Sequence, residues 1–307
     1  LKNLVSSLNI LSRLDEALEA CKEILSINSD DAGTINMMGT IYEKKGFYHQ
    51  AKTKFLRALE LDKNLVQAKI NIATLYQLEG NEDKADQIYN DLAKEQKGNP
   101  EVLFRRSTLA FKQENFQEGW RYFENRWKVF PLNKTIWPIQ NKTLWKGEKG
   151  GSVVLWKEQG IGDQIILLSL VPEVQEMCGS VSVYVDPRLH SLCKRTMPET
   201  NFISDENALK RENFDYHLPL GSVPGLVRNN IRDFDRTVTG YFKANPARVD
   251  SIRKELKLDG KTVIGISWKS FKSLNQTRKS VKLHDMERIF SGLDVVLVNL
   301  QYGDVDN

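Results

Sequence analysis

"GTIYEKKGFYHQAKTKF", residues 39–55, is answered 34 residues later by "ATLYQLEGNEDKADQIY", residues 73–89. Set in register, Gly39 aligns with Ala73, Tyr42 with Tyr76, Gly46 with Gly80, Ala51 with Ala85 and Phe55 with Tyr89. The step extends in both directions. Ala17 stands one interval before Ala51, and Ser107, Gly119 and Phe123 continue the small and aromatic positions beyond Ala73, Ala85 and Tyr89. Small residues recur where paired helices touch, and aromatics recur where the space between them must be filled. A unit this short cannot cover its own apolar face, so successive units must stack.

This pattern resembles the tetratricopeptide repeat. It departs from it where Ser29 and Lys63 replace the proline that usually ends a repeat, with a displaced Pro100, and where Ile35 replaces a tryptophan common in the first helix. The resemblance implies stacked helix pairs over residues 1–130. In such arrays the concave face commonly holds an extended peptide, which makes this part a reader of a substrate or partner. An array that only scaffolds the following domain is the equal alternative. The chain begins at Leu1 inside a helical pattern, so it reads as a fragment with further repeats expected before it.

The 307 residues leave room for two or three domains, each with its own core. With 40% hydrophobic and 27% charged residues the composition is that of an ordinary folded protein. The longest apolar runs are far too short to cross a bilayer. A net charge of +4, scattered along the chain, gives no argument for nucleic acid. Three cysteines without metal spacing, Cys21, Cys178 and Cys193, suit reduced thiols and a cytoplasmic location. The four histidines are dispersed, and no metal site is expected.

From Phe116 the character changes, and Trp120, Trp127, Trp137 and Trp145 follow within thirty residues. Trp120, Phe123 and Trp127 have the spacing of one helix face, and Pro131 ends that helix. A terminal repeat must hide its open end, so this aromatic face is expected to dock the array onto the next domain, with Trp127 as a buried core residue.

Beyond residue 150 the period shortens. "SVVLW" (152–156), "VSVYV" (181–185), "FDYHL" (214–218), "TVIGISW" (262–268) and "VVLVNL" (295–300) read as short buried strands. Helices are expected between them at Asp163–Cys178, Pro187–Arg195 and Pro246–Leu256. Such alternation implies βαβ units and a parallel sheet, with ligands beyond the carboxyl ends of its strands. The loop "KEQGIGD" (157–163) lies at that end. A dinucleotide fingerprint would need glycine at Ile165, although Asp186 stands where such a fold carries its ribose-binding acid. Asp163 in the first helical turn would repel a phosphate there, and no Gly-Lys-Ser/Thr follows. Two readings of Asp163 stay open: a cap on the helix N-terminus, favoured by spacing alone, or a general base at the mouth of the sheet.

"EGWRYFENRW" (118–127), "LWKGE" (144–148), "EQGIGDQI" (158–165), "FDYHLPLGSVPGL" (214–226) and "VIGISWKSFKSLNQTRKS" (263–280) together resemble bacterial proteins that join tetratricopeptide repeats to a GT-B glycosyltransferase. "GIGDQIILLSLVPEVQE" is also similar to the opening of the lipopolysaccharide heptosyltransferases, and the O-GlcNAc transferases share the plan more distantly. The resemblance implies repeats over 1–130, a tryptophan-rich linker over 131–150, an N-terminal Rossmann-like domain over 151–258 and the start of a truncated second one over 259–307. It implies transfer of a sugar from a nucleotide-sugar donor, with no other cofactor, to a hydroxyl of a protein, peptide or glycan acceptor. Asp163 matches the catalytic base, with Gln159, Gly160 and Gly162 forming the acceptor loop. Lys269, Lys272 and Arg278, in a loop that also carries Lys279 and Lys282, are the expected donor-phosphate contacts. With the donor half incomplete, the fragment is expected to be inactive. The competing reading is a non-catalytic repeat adaptor with a degenerate GT-B domain.

Overall fold

The computed structural model describes residues 1–129, 142–236, 240–258, 260–269 and 280–301. The chain divides into two compact units, residues 1–88 with 246–307 and residues 89–245. The expected linker over 131–150 lies partly outside the described residues, and Trp137 entirely so.

Nine helices open the described part: α1 (Lys2–Ile10), α2 (Leu14–Ile27), α3 (Ala32–Lys44), α4 (Tyr48–Leu61), α5 (Val66–Leu78), α6 (Glu82–Glu95), α7 (Pro100–Lys112), α8 (Phe116–Phe123) and the short α9 (Arg126–Val129). The first eight form four pairs with the expected period. Each pair turns through a residue with left-handed backbone: Ser12 (φ 60°), Gly46 (φ 83°), Gly80 (φ 77°) and Glu114 (φ 59°). Only the two glycines were legible as turn residues, because Ser and Glu rarely adopt that conformation. The small positions do what close helix contact requires. Ala17, Ala51, Ala73 and Ala85 are fully buried, and a methyl group added at Gly39 would lie 2.4 Å from a ring carbon of Phe55. Pro100 begins a helix rather than ending a repeat. It occupies the first turn of α7, where its missing N–H has no partner to lose, behind the Asn99 cap.

Residues 142–236 contain a five-stranded, wholly parallel sheet in the order β1-β5-β2-β3-β4. The elements are β1 (Thr143–Leu144), β2 (Ser152–Trp156), α10 (Ile161–Leu167), α11 (Val171–Met177), β3 (Ser180–Tyr184), α12 (Pro187–Thr196), β4 (Asn201–Ile203), α13 (Glu206–Arg211), β5 (Tyr216–Pro219) and α14 (Pro224–Val227). Central β2 is covered on both faces, which explains its unbroken apolar run. Val153 and Leu155 join one core with Val174, Val183 and Leu218, while Val154 and Trp156 join another with Ile203, Leu209 and Phe214. The single helix expected over Asp163–Cys178 is instead α10, a 3-10 turn at Leu168–Leu170, and α11. Pro172 lies in the first turn of α11; it cannot donate to the preceding turn, so the helix restarts there. The two shortest strands, β1 and β4, carry too few residues to show a period.

The remaining described stretch holds α15 (Pro246–Glu255), β6 (Val263–Ile266), α16 (Leu283–Phe290) and β7 (Val296–Asn299), with β6 and β7 paired in parallel from Val263↔Val296 to Ile266↔Asn299.

Candidate functional site

The loop leaving β2 is the focus of the sheet's carboxyl edge. Gly160 caps α10 with ordinary extended backbone (φ −63°), so its glycine is not demanded by a left-handed turn. Asp163 is exposed, and its Oδ2 accepts the Gly160 N–H at 3.1 Å. That bond is the acidic half of a capping box, stabilised at the positive end of the helix. Gly162 is exposed, and a side chain there would meet nothing within 4 Å. Half-buried Gln159 offers its carbonyl to Gln164 Nε2 at 3.2 Å. Gln164 is buried and accepts the Asp186 N–H at 2.9 Å, which ties this loop to the one after β3. Asp186 caps α12 and pairs with Arg188, whose guanidinium helps lower its carboxyl to about 2.

Glu158 escaped sequence reasoning although it lies in the same loop. It is buried and receives Arg126 in a two-pronged ion pair, Nε to Oε2 at 2.9 Å and Nη2 to Oε1 at 2.8 Å. Oε1 also accepts the Gly221 N–H at 2.7 Å, and Arg126 reaches Ser222 Oγ at 2.8 Å. Burial pushes the Glu158 carboxyl above its ordinary range, against the opposing pull of Arg126 and the Gly221 N–H. A signal for the pair did exist: both residues lie in the blocks "EGWRYFENRW" and "EQGIGDQI". Nothing in spacing connects residues 32 positions apart.

The tryptophans take different parts. Trp120 Nε1 donates to the Arg228 carbonyl at 2.7 Å, so α8 does engage the α/β elements. Trp127 lies on α9, not on the helix of Trp120 and Phe123, because α8 ends at Phe123. It is half-buried rather than a core residue, with its ring 5.4 Å from that of Trp156. A cavity of about 450 Å³ lies between α8 and the carboxyl ends of β1 and β5, lined among others by Trp120, Arg121, Leu144, Trp145, Ser222 and Leu226.

On the repeats, the first helices of consecutive pairs are joined by amides. Asn71 Nδ2 on α5 donates to Asn36 Oδ1 on α3 at 3.0 Å, and Gln67 Nε2 donates to Asn71 Oδ1 at 3.2 Å. Asn36 and Asn71 are both buried.

Of the expected donor contacts, Lys272 and Arg278 lie outside the described residues. Lys269 follows β6 in the unit that does not contain Asp163, and its backbone exchanges two hydrogen bonds with the Gln301 side chain, at 2.7 and 2.8 Å. Among the described residues no His, Cys, Asp and Glu cluster could hold a metal, and no helix is long and apolar enough to cross a membrane. Cys21 and Cys193 are buried, and burial pushes each thiol up to about 11.

Residues 32–65 match the tetratricopeptide repeat family, and the helical part of this chain is an array of such repeats. The chain is similar to Protein FlbA of Caulobacter vibrioides, 28% identical over 328 residues that cover 99% of this chain and 54% of that protein. It therefore spans about half the length of that relative. Among solved structures, a tetratricopeptide repeat protein from Parabacteroides merdae is 25% identical with a TM-score of 0.36, covering 42% of this chain and 49% of its own. A thermophilic repeat protein of Thermus thermophilus is 17% identical with a TM-score of 0.37, over 42% of this chain and 71% of its own.

Proposed function

We propose that this chain is a protein-binding adaptor whose repeats hold an extended segment of a protein partner along α3 and α5. The observation that supports this reading is the amide ladder Gln67–Asn71–Asn36, which fixes the first helices of two successive repeats side by side. Stacked repeats create long binding surfaces of this kind. The test places a photo-crosslinking residue at Thr40 or Thr74, and in parallel at Lys22 or Lys54 on the second helices α2 and α4. Adducts with one protein are expected from Thr40 and Thr74 only. Equal labelling from both sets, or none, removes the reading.

A second reading is favoured by the exposed Asp163 carboxylate at the mouth of an all-parallel sheet, together with the sequence resemblance to GT-B glycosyltransferases. In it, residues 1–130 present the acceptor, 131–150 link, and 151–258 and 259–307 belong to the two Rossmann-like halves. Asp163 takes the proton of the acceptor hydroxyl as the new bond to the anomeric carbon forms. The bond to the nucleoside diphosphate breaks with its electron pair leaving on the phosphate, and Lys269, Lys272 and Arg278 stabilise that charge. Because Oδ2 holds the Gly160 N–H, Oδ1 is the oxygen that receives the proton. In a longer form of the protein Asp163→Asn should lower turnover by roughly 10²–10⁴-fold with donor affinity unchanged. If it is only a cap, asparagine replaces it at little cost. No saturable binding of any nucleotide sugar would leave the adaptor reading alone.

A further inference from the structure

Strand order reverses beside β2. The chain runs outward from β2 through β3 to β4 and then returns to place β5 on the other side of β2. In open parallel sheets the crevice beyond the carboxyl ends at such a reversal receives the bound molecule. Its two walls here are the segments that follow β2 and β5. The first supplies the Glu158 carboxylate, and the second supplies the Gly221 N–H and the Ser222 hydroxyl.

Between these walls stands the guanidinium of Arg126, carried by α9 directly after the last helix pair. A guanidinium has five N–H donors in a planar fork, and each is used. Two go to Glu158 and one to Ser222, while Nη1 reaches Glu124 Oε1 at 2.9 Å and the Phe123 carbonyl at 3.3 Å. The rings of Phe123 and Trp127 each lie 4.4 Å from its central carbon. Arg126 and Glu158 side chains are 3% and 1% exposed. A buried ion pair is weak as a source of stability, since apolar residues of like volume often serve as well. What this fork supplies is orientation. Glu158 is followed at once by Gln159 and Gly160, and the Gly160 N–H holds Asp163.

We propose that Arg126 is an internal ligand of the sheet: the short helix that follows the last helix pair delivers a guanidinium into the crevice where a parallel sheet takes its ligand, and so sets the position of the Gln159–Asp163 loop. Arg126 and Glu158 are positioning residues for that loop, whatever chemistry the loop performs. The contact is independent of both functional readings above.

Amide hydrogen exchange in the whole chain tests this, read at the Gly160 N–H and the Gly221 N–H. In Arg126→Met both should exchange faster by about a hundred-fold, the size set by stripping one partner from a buried pair. Free guanidinium at millimolar concentration should slow them again, and ammonium should not, because only the planar fork fits both walls. Arg126→Met with Glu158→Leu removes the unpaired charge and protects against general unfolding. There the Gly160 amide should stay fast. Arg228→Met breaks a second, part-buried ion pair of this unit, Arg228–Glu173, and should leave Gly160 slow. Wild-type exchange at Gly160 in Arg126→Met, full restoration in the double variant, or equal acceleration in Arg228→Met would each overturn the proposal.

Discussion

Adding one methyl group at Gly39 gives the sharpest test of how the repeats pack. An alanine methyl there would sit 2.4, 2.5 and 3.1 Å from three ring carbons of Phe55, where carbon contacts settle near 3.5–4.0 Å. The ring must move by about 1 Å, yet it is fully buried among Ala51, Ile72 and Leu75. Overpacking of this kind costs about 1–3 kcal/mol. Replacing glycine by alanine within a helix returns about 1 kcal/mol. Gly39→Ala should therefore destabilise the repeats by about 1 kcal/mol. Phe55→Ala alone should cost about 3–5 kcal/mol. In the Phe55→Ala background the clash is gone and only the helical gain remains, so Gly39→Ala should change sign and stabilise by about 1 kcal/mol. Five of the six tryptophans lie in the unit 89–245 and only Trp268 lies in the unit that contains residues 1–88, so tryptophan fluorescence reads mainly the first of these. Urea unfolding followed by far-ultraviolet circular dichroism gives the helical transition, with tryptophan fluorescence as the control. Effects that add within about 0.5 kcal/mol, or a stabilising Gly39→Ala in the otherwise unaltered chain, would refute the packing argument.

Other outcomes follow from the sheet. His217 is buried and accepts the Trp156 Nε1–H at 3.2 Å through Nδ1, and burial lowers its pKa. Below the ordinary histidine value near 6.5 the unfolded chain binds a proton that the folded one refuses, so stability should fall as pH drops through that value. The raised Glu158 carboxyl acts in the opposite sense, gaining stability as pH falls through its folded value. The difference between the parent and His217→Asn, by urea unfolding at pH 7 and 5.5, isolates the histidine part, and a parent curve parallel to the variant's would contradict it. Trp127→Ala should cost about 2 kcal/mol, below the 3–5 of a fully buried aromatic, since its ring is half-buried against Trp156. A loss under a few tenths in the fluorescence-detected transition would remove it from that contact.

The sequence by itself determined the elements whose signal is local. A 34-residue period is visible because every repeat solves the same contact, so Ala51, Ala85, Gly39 and Phe55 recur in place. Strand β2 was legible because burial on both faces needs an unbroken apolar run, β3 because its valines alternate toward the core, and the start of α12 because proline marks a first turn. The loop carrying Asp163 could be placed at the sheet's carboxyl edge for the same reason. Tertiary structure alone decided what that loop touches. The turn role of Ser12 and Glu114 is hidden because nothing in those side chains asks for left-handed backbone. The restart of the helix at Pro172 and the place of Trp127 on a separate helix depend on where the chain must bend to meet the sheet. Arg126 and Glu158 stand 32 residues apart, in segments that look like a charged helix end and a strand end. Only the placing of α9 against the carboxyl end of β2 brings them together, because a buried carboxylate is tolerable only where folding delivers its partner.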